Sequence, residues 1–157
     1  MPTSFTRSLR YCAALSFAAL TLPASANCVI SHDTASPNVL KVFKENSGYE
    51  FNNYEVVCNK LRKANAKIVI QGSYGVLRNR SYGWALITVA DKASNHLIVN
   101  SFGSHSTQMN DSASDETARK ELWLAINDGL DNWDGLDQAL AELKQARRAM
   151  RKIDARQ

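Results

Sequence analysis

Hydrophobic and polar positions alternate with the period of β-strands between Lys67 and Thr107. Three runs in this stretch are rich in β-branched and aromatic residues, which suit a pleated, half-buried surface; they cover residues 67–77, 82–90 and 96–105. Only short polar breaks separate the runs. Because parallel pairing needs a crossover of about a dozen residues, these connections predict hairpins. We therefore expect a three-stranded antiparallel meander.

The same alternation assigns side chains to the two faces of the first strand. Even-numbered residues share one face and odd-numbered residues the other, so that Ile68, Ile70 and Tyr74 point one way and Gln71 and Leu77 the other. The second strand is apolar on both faces near its middle, which favours a central position. Glycines inside the strands predict bulges, bends or close backbone approach; they are Gly72, Gly75, Gly83 and Gly103.

Helical spacing appears on both sides of the meander. Ser36 followed by Pro37 predicts the start of a first helix, and Asn52 with Glu55 resembles a capping box for a second. Ser112 or Ser114 is expected to cap a third helix, and Asp134 to begin a fourth, whose tail past about Met150 should fray. The predicted fold class is α+β: two amino-terminal helices, the meander, and two carboxy-terminal helices packed on one sheet face.

The first 26 residues have the pattern of a cleaved signal peptide. Arg7 and Arg10 form a positive region, an apolar run follows to Leu22, and Ala24-Ser25-Ala26 is a small-residue cleavage site. The apolar run is short for a membrane span, and no later stretch is a transmembrane candidate. We expect cleavage after Ala26 and a periplasmic or secreted protein.

The chain expected to remain, residues 27–157, is long enough for a single domain with its own core. Without Arg7 and Arg10 it carries 17 basic and 15 acidic residues, a net charge of +2. A value so close to zero gives no argument for a nucleic-acid partner. Cys28 and Cys58 are the two cysteines of this chain, and an oxidising compartment predicts that they form a disulfide.

Two patterns in the sequence have residue types found in metal or catalytic sites. Asp128, Asp131, Asp134 and Asp137 are closely spaced, but they do not fit a calcium-binding loop, so we interpret them as helix-boundary residues and expect no metal. His105, with Ser104 or Ser106, is the alternative hypothesis of a small secreted hydrolase, although no nucleophile-elbow motif is present. No pattern indicates a cofactor.

A basic and aromatic cluster around the first hairpin is the sharpest functional signal. Arginine and aromatic residues dominate the energetic centres of protein–protein interfaces; those concerned are Arg78, Arg80, Tyr82, Trp84 and Tyr74. A solvated turn flanked by core aromatics is the alternative interpretation. The basic carboxy-terminal helix end, interleaved with Met150 and Ile153, is interpreted as complementing the helix dipole, with contact to acidic lipid or a partner as the alternative.

These patterns together favour a small, exported, non-enzymatic binding domain, such as an inhibitor, an immunity factor or an envelope-assembly accessory protein. The expected partner is another envelope or secreted protein. No family motif in the chain is specific enough to identify a family, and the oligomeric state is not determined by the sequence.

Overall fold

A computed structural model describes residues 28–94 and 97–154. The predicted signal segment, His96 and the last three residues lie outside the described residues. The elements follow in the order β1 (His32–Asp33), α1 (Pro37–Glu45), α2 (Tyr54–Lys63), β2 (Ala66–Leu77), β3 (Arg80–Asp91), β4 (Ile98–Asn110), α3 (Asp115–Asp131) and α4 (Leu136–Asp154).

The described strands form one sheet in the order β1-β2-β3-β4. Strands β2, β3 and β4 pair in antiparallel fashion, as the sequence predicts. The expectation of a purely antiparallel three-stranded sheet is wrong, because β1 adds a fourth strand parallel to β2, with His32 opposite Ile68 and Asp33 opposite Val69. Two residues are too few to show the alternation by which a strand is recognised. The fold is α+β with a mixed four-stranded sheet.

One face of the sheet is packed against helices, and we call it the covered face. It carries Ile68 and Ile70 of β2 and Ala85 and Ile87 of β3, all at most 1% exposed. Helix α3 lies across β2, β3 and β4, while α1 contacts β2 and α4 contacts β4 and β3. The part of the opposite face that carries Trp84 and its neighbours is exposed to solvent, and we call it the open face.

Glycine allows α3 to approach the covered face closely. A Cβ atom at Gly83 would overlap the backbone of Glu121 and Leu122 in α3. On the helix side, a Cβ atom at Gly129 would lie 3.2 Å from Cδ1 of Ile87. Close backbone approach is therefore the physical reason for glycine at position 83.

Strand β4 is longer and less regular than the sequence predicts. It continues to Asn110, which pairs with Ser81, so the strand extends five residues beyond the predicted end at residue 105. Val99 lies opposite Val89, and Ser104 lies opposite Ile87. Between these two pairs β4 advances by five residues while β3 advances by two. This β-bulge keeps both Val99 and Ser104 on the buried side.

The helix ends agree with the sequence at some positions and differ at others. The side chains of Ser36 and Ser114 cap α1 and α3, as predicted. The expected capping box at Asn52 is wrong: the N-cap of α2 is Asn53, which makes no side-chain capping bond. Both asparagines instead donate hydrogen bonds to Asp131, at the end of α3. Helix α4 continues past Met150 to Asp154.

The predicted cysteine pair is confirmed. Cys28 and Cys58 form a disulfide with a Cα–Cα distance of 5.9 Å, and both side chains are buried. The bridge joins the start of the described chain to the buried side of α2. Among residues 28–94 and 97–154, none of the helices combines the length and apolarity that crossing a bilayer requires.

Candidate binding site

The hairpin between β2 and β3 projects two arginines into solvent. Leu77 pairs with Arg80, so that Arg78 and Asn79 form a two-residue turn. Arg78 has a φ of 57°, the left-handed conformation that such tight hairpins require. Arg80 forms an ion pair of 2.8 Å with Asp111, and both side chains are largely exposed. Exposed pairs of this kind contribute little to stability, so the Arg80 guanidinium is available to a partner.

Two aromatic side chains extend from this tip along the open face. Tyr82 lies opposite Gly75 on β2 and Met109 on β4. A Cβ atom at Gly75 would lie 3.0 Å from the Tyr82 hydroxyl oxygen, so the tyrosine ring covers the glycine. Trp84 follows on the same side of β3 and is 39% exposed. The open face therefore presents an aromatic surface that begins at the hairpin tip.

A shallow depression of about 520 Å³ joins the tip to the end of β4. Its lining residues are Leu77, Arg78, Asn79, Arg80 and Met109. Its two apolar members are both exposed, Leu77 at 64% and Met109 at 57%. Met109 is absent from the predicted cluster because it lies beyond residue 105, where the third strand was expected to end. Its position opposite Tyr82 becomes visible only with the β3–β4 register.

Tyr74 lies apart from the other four residues of the predicted cluster. It is on the same side of β2 as the buried Ile68 and Ile70, and it is partly buried against the core. The Lys41 ammonium of α1 lies 5.9 Å from the centre of its ring. The structure thus brings Arg78, Arg80, Tyr82 and Trp84 together and leaves Tyr74 on the covered side.

The residues of the hydrolase hypothesis point in opposite directions from β4. His105 is exposed on the open face, whereas Ser104 and Ser106 are buried on the covered face. The Ser104 hydroxyl donates to the carbonyl of Gly129, and the Ser106 hydroxyl donates to the Asp128 carboxylate, each at 2.6 Å. A general base must reach its nucleophile in space, and this arrangement does not bring the two together.

Three of the four aspartates near the α3–α4 connection, Asp128, Asp131 and Asp137, make separate local contacts. Asp128 accepts hydrogen bonds from Ser106 and Asn132, and Asp137 pairs with Lys60 at 2.9 Å. Hydrogen bonds from the Asn53 backbone amide and the Asn52 side chain hold the pKa of Asp131 below its usual value. Across the described residues, no three His, Cys, Asp or Glu side chains are grouped as metal ligands would be.

No family model, curated protein or solved structure matches this chain. The feature that combines exposed apolar area, aromatic rings and cationic groups is the open face from Trp84 to the Arg78–Arg80 tip, and we call it the aromatic–arginine surface. It comprises Leu77, Arg78, Arg80, Tyr82, Trp84 and Met109.

Proposed function

We propose that this protein is an exported, non-enzymatic domain that binds another envelope or secreted protein through the aromatic–arginine surface. The observation that carries the proposal is the exposure of Leu77, Trp84 and Met109 beside two arginines at the sheet end. Exposed apolar patches with a polar rim are typical of interaction sites. An inhibitor, an immunity factor or an assembly accessory would each act through such a contact.

The residue types on this surface support a protein partner. Tyrosine, tryptophan, methionine and arginine are enriched at protein–protein interfaces, and truncation of tryptophan and arginine produces the largest losses of affinity. Trp84 is the natural anchor, because a tryptophan ring offers a large contact area at a low cost in side-chain entropy. Arg78 and Arg80 favour a partner that presents acidic groups beside an apolar pocket.

Export is part of the proposal. The disulfide between Cys28 and Cys58 is compatible with an oxidising compartment, and the signal pattern of residues 1–26 supports passage to the periplasm or the exterior. Mass spectrometry of protein recovered from the periplasm should give Asn27 as its first residue. Recovery of a chain that still begins at Met1 would contradict the export step.

Quantitative capture from a periplasmic extract, followed by calorimetry with the captured protein, tests the binding surface. Arg80→Ala should weaken binding by about 1–2 kcal/mol and Trp84→Ala by about 2 kcal/mol or more, as expected for energetic centres of an interface. Arg80→Ala should change the free energy of unfolding by no more than about 0.5 kcal/mol, because the side chain is exposed.

A matched variant on another surface controls for nonspecific effects. Leu124 and Lys120 are an exposed apolar and an exposed basic residue on α3, and Lys120→Ala/Leu124→Ala should leave affinity unchanged. Equal affinity of the wild type and Arg80→Ala/Trp84→Ala, with both folded, would reject this surface as the binding site. Loss of a hydrolytic activity in His105→Ala would instead support the enzyme hypothesis.

A further inference from the structure

A second charged surface lies at the opposite end of the sheet from the hairpin tip. The last turns of α2 contribute Lys60, Arg62 and Lys63, and the second half of α4 contributes Lys144, Arg147, Arg148, Arg151 and Lys152. Neither residues 59–63 nor residues 144–153 contain an acidic residue. We call these eight residues the basic end of the molecule.

Arg147 holds the two helix segments side by side. Its guanidinium donates hydrogen bonds of 2.7 Å to the carbonyl oxygens of Ala64 and Asn65, at the end of α2. It also forms a 2.6 Å contact with the Asp91 carboxylate, at the end of β3. Burial would raise the pKa of Asp91, but the hydrogen bonds from Arg147 and from the Ala93 amide lower it overall, so the pair remains ionised.

Most of the charge on the basic end is not compensated by neighbouring carboxylates. Arg147 is neutralised by Asp91, and Lys60 pairs with Asp137. Among residues 28–94 and 97–153, no carboxylate side chain lies within ion-pair distance of the remaining six cations; these are Arg62, Lys63, Lys144, Arg148, Arg151 and Lys152. The basic end therefore carries a concentrated positive charge, although the net charge of the chain is small.

Interaction with the helix dipole explains the presence of only some of these basic residues. Cations stabilise a helix through its dipole within the last turn, where α4 has Arg151 and Lys152. Lys144, Arg147 and Arg148 lie one or more turns earlier. Arg147 has a structural role in joining α2 to α4, but Lys144 and Arg148 have no such role in the described structure.

Apolar side chains are exposed among these cations. Met150 is 42% and Ile153 is 58% exposed, both on the last turns of α4. A groove of about 610 Å³ lies between α2 and α4, with Ala64, Leu140 and Ala141 as its apolar lining beside basic side chains. A helix that presents exposed apolar residues between lysines and arginines is typical of segments that lie in the headgroup region of a membrane.

We propose that the basic end docks the protein on the surface of an anionic phospholipid bilayer, with Met150 and Ile153 inserted between the headgroups. Clustered exposed cations supply the electrostatic attraction, and the two apolar side chains supply burial. Arg80 and Asp91 are the two ends of β3, about 35 Å apart for a strand of this length. Docking would therefore direct the hairpin tip away from the membrane, where a partner can reach it.

Vesicle co-sedimentation with the mature protein tests this inference. The wild type should bind vesicles that contain phosphatidylglycerol, should not bind pure phosphatidylcholine vesicles, and should dissociate as the salt concentration rises. Lys144→Gln/Arg148→Gln removes two exposed, uncompensated charges and should lower the partition coefficient about 25-fold, since each cation near an anionic surface contributes about fivefold. Met150→Ser/Ile153→Ser should also weaken binding, with the salt dependence retained.

The matched control is Lys44→Gln/Lys120→Gln, which removes two exposed cations from α1 and α3 and should bind as the wild type does. Equal losses in the two double variants would show a general effect of net charge and overturn the proposed surface.

Binding to phosphatidylcholine alone, or no binding to phosphatidylglycerol, would also overturn the proposed surface. So would displacement by inorganic phosphate at constant ionic strength, which would indicate a site for a free anion. An unchanged Met150→Ser/Ile153→Ser variant would refute insertion.

Discussion

The covered face and the open face of the same sheet differ in a way that hydropathy alone does not anticipate. On β4, the buried side carries Ser104 and Ser106, whereas the exposed side of its last residues carries Met109. On β3, the covered side has Gly83 and Ala85, and the open side has Tyr82 and Trp84. At these positions of β3 and β4, small and polar residues are buried, while larger aromatic and apolar residues lie on the open face.

Close helix packing explains the composition of the covered face. Helix α3 approaches the sheet so closely that Gly83 has no room for a side chain, and the Ser104 and Ser106 hydroxyls reach hydrogen-bond acceptors on α3 directly. Small side chains are required where two backbones meet, and a buried hydroxyl is tolerated because it is hydrogen-bonded. No helix of the described structure imposes this limit around Trp84 on the open face.

Removal of the disulfide should cause the largest loss of stability, and it should leave partner binding on the open face unchanged. Cys28→Ala/Cys58→Ala frees a closed loop whose ends are 30 residues apart, which should lower the free energy of unfolding by about 3–4 kcal/mol. Urea unfolding measures the loss. Affinity for the partner should be retained under conditions where the variant is folded, since the bridge is remote from the aromatic–arginine surface. A loss below about 1 kcal/mol would show that packing alone anchors the amino-terminal segment.

A pair of glycine variants compares the two faces directly. Gly83→Ala should lower the free energy of unfolding by about 3 kcal/mol, because the new methyl group meets the backbone of α3. Gly75→Ala should cost less than about 1 kcal/mol, because the methyl group meets only the Tyr82 ring, which can move. Similar losses in the two urea titrations would contradict the assignment of a tightly packed and an open face.

Two neighbouring hydroxyl residues on β4 provide a finer comparison. Ser106→Ala removes a buried donor to the Asp128 carboxylate and should cost about 1.5–3 kcal/mol, as expected for a hydrogen bond to a charged group. Thr107→Ala, one residue later and exposed on the open face, should stay within about 0.5 kcal/mol. Thermal or urea unfolding separates the two variants. A larger loss in Thr107→Ala would reverse the assigned faces.

The smallest expected effect is the contribution of His32 to the pH dependence of the unfolding free energy. Burial lowers the pKa of His32 below 6.5, with a partly opposing effect of Asp33, and the imidazole stacks on Phe43 at 4.3 Å. Because the folded state disfavours the protonated form, its contribution to stability is complete above pH 6.5 and is lost as the pH falls through 6.5 toward the folded-state pKa. His32→Phe should therefore flatten the dependence of unfolding free energy on pH in this window. An unchanged slope would show that other groups titrate there.

Much of the fold follows from local patterns in the sequence. The alternation of β2 identified its two faces, Ser36 identified one helix start, and Ser114 was one of two candidates for another, because each signal depends on residues within a few positions of one another. The disulfide followed from the cysteine count together with the inferred compartment. Arg78 and Arg80 were placed at a hairpin tip for the same local reason.

Tertiary structure alone decided the parallel pairing of β1, the bulge in β4 and the side of the sheet on which each helix lies. These features depend on contacts between residues far apart in the chain, such as Asp131 with Asn53 and Arg147 with Asp91. The residues of the candidate surface were likewise determined partly by the sequence and partly by the tertiary structure. The sequence selected Arg78, Arg80, Tyr82 and Trp84, whereas only cross-strand register could exclude Tyr74 and add Met109, because register sets which side chains share a face.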